Sequence, residues 1–139
     1  MSRIPVDPRL AALPQCRTCT RRQLQHASRF QTILELPPGR IVIRPGDTSG
    51  QVVLILSGLA GVRDEHAILA VLGPGDLAGA TSVDGEACRS TVLAETDLGV
   101  AVMTRAEFRV VLTFIPRLVV AAPVTIRAIA SVERSAAHA

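Results

Sequence analysis

The sequence predicts a mainly β fold with helices at both ends, and three observations carry that expectation. Between Phe30 and Met103 the signals are short apolar runs separated by turn residues, the pattern of strands. Helix-start signals stand on either side of that stretch: Thr20 with Gln23, and Thr104 with Glu107, both at capping-box spacing. Apolar residues make up 48% of the chain, enough for a real core, yet only three residues are aromatic, all Phe, so that core must be aliphatic. Short strands at regular spacing suggest a sandwich or jelly-roll barrel. The 139 residues suit one domain, divided into a helical segment at 1–28, strands at 29–103 and helices at 104–134.

Residues 1–28 read as helical and irregular, punctuated by Pro5, Pro8 and Pro14, and Thr20 opens a short helix over RRQLQHASR. QTILELP then alternates and stops at Pro37-Pro38-Gly39, and RIVIRPGD alternates with Ile41 and Ile43 on one face. QVVLILSG is a continuous apolar run, which predicts a strand buried on both faces. LAGVRDEHAILAVLGPGD reads as a hairpin turning near Asp64-Glu65-His66. STVLAET and DLGVAVMT are two further strands with a turn at Thr96-Asp97. Thr104 caps the helix TRAEFRVVLTF. Pro116 suits the first turn of another helix that runs toward Arg134, with a break near Pro123. That last helix carries a wide apolar face that includes Leu118, Ala122, Ile126 and Ile129. A homodimer through 116–134, or another protein partner, is the expected cover.

The net charge of +3 is mild, and every one of the fifteen positive charges is an arginine. The arginines are spread along the sequence, with Arg21-Arg22 the one basic doublet, a pattern unlike the dense basic face of a nucleic-acid binder. No apolar run reaches the length of a membrane span and the N-terminus has no apolar signal core, so a cytoplasmic protein is expected. Cys16, Cys19 and Cys88 are then expected to be reduced. Cys16 and Cys19 fall, with Leu13 and Leu24, where a short helical segment buries apolar side chains, and core packing is their first reading. A thiol switch, or a metal site that also recruits Cys88 and His26, is the alternative.

Taken in order, these elements resemble the cyclic nucleotide-binding domain of catabolite-activator-type regulators, kinases and gated channels. RPGD at 44–47, VVLILSGLAGV at 52–62 and LGPGDLAG at 72–79 carry the resemblance. It implies an eight-stranded, jelly-roll-like β-roll with N-terminal helices and two C-terminal helices. It also implies a phosphate-binding cassette at 73–92. In the family, backbone N–H groups at the start of a short helix meet the cyclic phosphate, an arginine adds a charge-assisted contact, and a glutamate accepts the ribose hydroxyl.

Carried onto this sequence, the ligand-binding positions are Gly75, Leu77, Gly79, Ala80, Thr81, Ser82, Arg89 and Ser90. Gly79 matches the family glycine, but Ala80 stands where the carboxylate is expected. Counted from Val92, the arginine position falls on Cys88. Either a bulge keeps Arg89 on the phosphate or Cys88 lines the pocket. Glu86 is the nearby candidate to replace the missing carboxylate.

The expected function is a non-enzymatic regulatory module in which cyclic nucleotide binding is weak or lost and the C-terminal helices contact a protein. A genuine cyclic nucleotide or anion sensor is the alternative, and that nucleotide is the one cofactor the resemblance suggests. Metal-dependent enzymes on small barrels need clustered histidines and carboxylates, and only His66 lies among the strands. Nothing after the last helix reads as a recognition helix, so no DNA contact is expected.

Overall fold

The computed structural model describes residues 5–44, 50–64, 67–79 and 91–118. Strand β3, Val52–Ser57, decides the architecture, because its first five residues are buried and their side chains alternate between two separate cores. Val53 and Ile55 face one core, while Val52, Leu54 and Leu56 face the other. The continuous apolar run seen in the sequence therefore has the predicted meaning.

Seven further strands complete the roll: β1 (Thr32–Leu36), β2 (Ile41–Ile43), β4 (Ala60–Arg63), β5 (Ile68–Leu72), β6 (Leu77–Gly79), β7 (Thr91–Ala94) and β8 (Leu98–Met103). They form two four-stranded antiparallel sheets, ordered β1-β8-β3-β6 and β2-β7-β4-β5. The inner core lies between the sheets and gathers Ile43, Val53, Ile55, Val62, Val92 and Val100 among others. Each buried side chain of this size contributes about 1.5–3 kcal/mol relative to exposure. The β4–β5 connection turns where expected: the Asp64 N–H donates to the Ala67 carbonyl at 3.1 Å, and the Asp64 carboxylate accepts the Ala67 N–H at 2.8 Å. Strand β6 is the one the apolar pattern did not mark. It has three residues, two of them small, and exists because Leu77, Ala78 and Gly79 pair with Leu54, Val53 and Val52.

The helices cover the outer face of the β1-β8-β3-β6 sheet. They are α1 (Pro8–Ala11), a 3-10 turn at Pro14–Cys16, α2 (Arg21–Ser28) and α3 (Arg105–Phe114). Leu10, Leu13, Cys16, Leu24 and Ala27 from this side meet Leu54, Leu56, Met103, Val111 and Ile115 in the outer core. Both capping boxes form. The Thr20 hydroxyl accepts the Gln23 N–H at 3.1 Å while Gln23 Oε1 accepts the Thr20 N–H at 2.6 Å. Thr104 and Glu107 repeat the arrangement at 3.0 and 2.9 Å. After Pro116, residues 117 and 118 are helical and Leu118 is buried in the outer core. The rest of the predicted last helix lies outside the described residues.

One polar clamp fastens the N-terminal segment to this sheet. Glu35, Gly99 and Ser57 sit side by side across β1, β8 and β3. The Arg9 side chain lies over Gly99, where a Cβ would overlap its guanidinium. From there Arg9 donates to Ser57 Oγ at 3.0 Å, to Glu35 Oε1 at 2.6 Å and, through two nitrogens, to the Asp7 carboxylate at 3.0 and 2.9 Å. The Arg9 hydrogen bonds hold the Asp7 carboxyl below its usual range.

Candidate functional site

The site begins at the turn after β5. The Gly73 N–H donates to Asp76 Oδ2 at 2.8 Å and the Asp76 N–H donates to the Gly73 carbonyl at 3.0 Å, which closes Gly-Pro-Gly-Asp into a tight unit. This unit is fixed to β3 at one residue: Gly75 donates to the Ile55 carbonyl at 2.8 Å, and Ile55 donates to the Asp76 carbonyl at 2.9 Å. Gln15, from the 3-10 turn, donates its side-chain amide to the Gly75 carbonyl at 2.7 Å. The helical layer is thus tied directly to the turn that leads toward the cassette. Gln15 was not among the residues singled out in the sequence, since a contact across sixty positions leaves no local signal.

Strand β6 then runs to Gly79. Leu77 is buried in the outer core and Ala78 in the inner core, so these two side chains hold the strand down. Gly79 has φ +77°, and a Cβ there would overlap the Gln51 carbonyl oxygen and sit 3.2 Å from Ile43 Cδ1. Only glycine fits this combination of left-handed backbone and close approach. On the far side of the cassette, β7 starts with Thr91 opposite Arg63 and Val92 opposite Val62. Strand β6 therefore ends in one sheet at Gly79 and β7 begins in the other at Thr91, at the end of the roll formed by Ile43, Val52 and Arg63. Arg63 is already engaged there, with two 2.8 Å hydrogen bonds to Glu95. Ala80, Thr81, Ser82, Glu86, Cys88, Arg89 and Ser90 lie outside the described residues; of the predicted set the structure describes Gly75, Leu77 and Gly79, and the Leu77 side chain packs in the outer core rather than on a ligand surface.

The other candidate cluster is the cysteine pair. Cys16 is buried and Cys19 half-buried, in the outer core as the sequence suggested. Burial pushes the Cys16 thiol up to about 12 and raises Cys19 as well, which disfavours the thiolate needed for redox chemistry or metal binding. The His26 ring stacks on Phe114, centroids 5.2 Å apart. Among the described residues no three metal-ligating side chains come together, and no helix is long and apolar enough to cross a membrane.

Residues 33–113 match the sequence profile of the cyclic nucleotide-binding domain. The chain belongs to that family. No curated protein matches it. Among solved structures, a mutant of the cAMP-binding acyltransferase from Mycobacterium smegmatis is 27% identical, with TM-score 0.63, over 72% of this chain and 33% of that one. The C-linker and cyclic nucleotide-binding homology domain of zELK channels, crystallized in the presence of cAMP, is 27% identical, with TM-score 0.57, over 79% and 58%. The regulatory subunit of a cAMP-independent protein kinase A from Trypanosoma brucei is 22% identical, with TM-score 0.65, over 81% and 43%, and shows the fold. The chain thus spans between a third and about three fifths of these neighbours. The eight strands in two sheets agree with the fold the resemblance implies, and the glycine–aspartate turn at 73–76 is formed.

Proposed function

We propose that this cyclic nucleotide-binding domain is a non-enzymatic regulatory module in which nucleotide binding is weak or lost, and which acts through protein contacts of its C-terminal helices at 116–134. The observation that carries this reading is the contrast at the start of the cassette. Gly79 keeps a backbone position that only glycine can fill, while the next residue is Ala80, with no carboxylate to accept a ribose hydroxyl. A hydrogen bond to a charged group contributes roughly 1.5–3 kcal/mol, so its loss weakens binding about 10- to 100-fold. The Trypanosoma brucei neighbour belongs to a cAMP-independent kinase, which supports regulation on this fold without that ligand.

The test is calorimetric titration of the chain with cyclic AMP and cyclic GMP, alongside Ala80→Glu and Arg89→Ala. No heat up to millimolar nucleotide in the natural chain, with binding gained in Ala80→Glu, is the expected result. Micromolar binding by the natural chain that Arg89→Ala abolishes identifies a sensor instead, the reading favoured by Gly79 and Arg89. A monomeric mass in solution at micromolar concentration rules out the homodimer and leaves a different protein as partner.

A further inference from the structure

The arginines that are spread along the sequence are gathered in space. Among the described residues, 5–31 and 104–118 carry eight arginines against two acids, Asp7 and Glu107, a net of +6. The described residues of the roll, from 32 to 103, carry three arginines, Arg40, Arg44 and Arg63, against five acids, a net of −2. The described part of the molecule therefore has a positive helical side and a slightly negative roll.

The positive side is densest where the start of α2 meets the end of α3. Cys19 Sγ donates to the Phe114 carbonyl at 3.8 Å, and Arg117 lies near enough to that thiol to act on it electrostatically. Arg17, Arg21 and Arg22, within three residues of Cys19, and Arg117 therefore lie on the two segments that meet at this joint. All four are exposed, and none forms an ion pair among the described residues. No Asp or Glu occurs between Pro8 and Leu34, or between Phe108 and Leu118.

Folding does not call for this arrangement. Arg21 and Arg22 occupy the first turn of α2, which contains no acid, although the helix dipole favours acids there and disfavours cations. The chain keeps two cations at a helix start that they weaken, and a docking role accounts for them. Guanidinium forks pair in bidentate fashion with carboxylates. Among the described residues the exposed large apolar side chains (Ile33, Leu34, Ile41, Leu59, Ile68 and Val71) all lie on the roll, so this side offers no apolar wedge to a lipid surface. The three Phe rings are partly buried against the outer core, leaving no exposed aromatic platform for bases. A group this compact suits a few carboxylates on one short segment better than a tract of phosphates along a duplex.

We propose that the joint between α2 and α3 docks an acidic segment of a partner protein, whose Asp and Glu side chains pair with Arg17, Arg21, Arg22 and Arg117. The surface uses no cassette residue, so it stands whether or not a nucleotide binds.

The experiment is fluorescence anisotropy with the full chain and a fluorescein-labelled poly-glutamate peptide of about a dozen residues, at low and near-physiological salt. The peptide binds, more weakly as salt rises. Arg21→Ala combined with Arg22→Ala lowers affinity roughly tenfold or more, as removal of paired charges does at an interface. Arg40→Ala combined with Arg44→Ala, on the roll, leaves it within about twofold, because those charges lie outside the docking surface. The thermal midpoint of the Arg21, Arg22 variant stays level or rises, since cations have left the helix start, and this separates lost contact from lost fold. Absence of peptide binding overturns the proposal, as does an equal loss in both variants. So does tighter binding to a DNA duplex or to phosphatidylserine vesicles than to the peptide.

Discussion

Replacing Gly79 by alanine tests whether the start of the cassette is fixed by close packing or merely by a turn. Gly39 is the natural control, because both residues have positive φ, +87° at Gly39 and +77° at Gly79. A Cβ at Gly39 meets nothing within 4 Å, whereas one at Gly79 overlaps the Gln51 carbonyl and presses Ile43. Each substitution forces an L-residue into the left-handed region, which costs about 1–2 kcal/mol. Each also stiffens the unfolded chain, which returns about 0.4–1 kcal/mol. The net for Gly39→Ala is therefore about 1 kcal/mol. Gly79→Ala must in addition move β6 off β3 at the Val52 pair, and overpacking of this kind costs about 1–3 kcal/mol more. The chain has no Trp or Tyr, so urea unfolding is best followed by far-ultraviolet circular dichroism, with stability compared at unchanged slope. A Gly79→Ala loss within about 0.5 kcal/mol of the Gly39→Ala loss would refute the packing argument, because the overlap alone is assigned more than that.

Three other outcomes follow from the same structure. Leu10 is fully buried in the outer core, so Leu10→Ala should destabilise by about 2–5 kcal/mol in urea titration. Thr104→Ala removes the hydroxyl that accepts the Glu107 N–H and should cost about 1 kcal/mol by thermal or urea unfolding. Cys16 has a folded-state pKa raised from 9.0 to about 12, so its contribution is complete below pH 9 and is lost as pH climbs toward 12. Stability measured across that window should fall by at most about 1.4 kcal/mol per pH unit, and Cys16→Ala should flatten the slope.

What the sequence made legible was local. The two capping boxes are visible because their partners are three residues apart, at Thr20 with Gln23 and Thr104 with Glu107. The two-sided burial of β3 is visible because Val52 to Leu56 leave no polar position for a solvent face. The β4–β5 hairpin announces itself through Asp64 and the polar residues after it. Strand β6 was hidden, because Leu77–Gly79 becomes a strand only by pairing with β3, where Leu54 stands opposite Leu77 and Val52 opposite Gly79. The Arg9 clamp was hidden for the same reason, joining Arg9 to Glu35 and Ser57 across 26 and 48 positions. The gathering of arginines on the helical side follows from which strands and helices pack together, which linear spacing does not encode.

The residues that fix Gly79 and Thr91 are not the residues to which the resemblance assigns the ligand, and this separation bears on how far family membership reaches. Gly79 is set by the Gln51 carbonyl, by Ile43 and by the ladder from Val52 to Leu54. Thr91 is set by its pairing with Arg63 in the other sheet. Position 80 follows the last rung of β6 in the sequence and takes part in none of the contacts just named. A chain can then keep the whole roll while its nucleotide contacts drift, and a 27% identical neighbour transfers the roll without the ligand. Ala80→Glu separates the two ways such drift can arise. A gain in nucleotide affinity locates the difference in one missing carboxylate, with Arg89 still turned to the phosphate. No gain favours the alternative in which Cys88, rather than Arg89, faces the pocket, a change that no single restored side chain reverses.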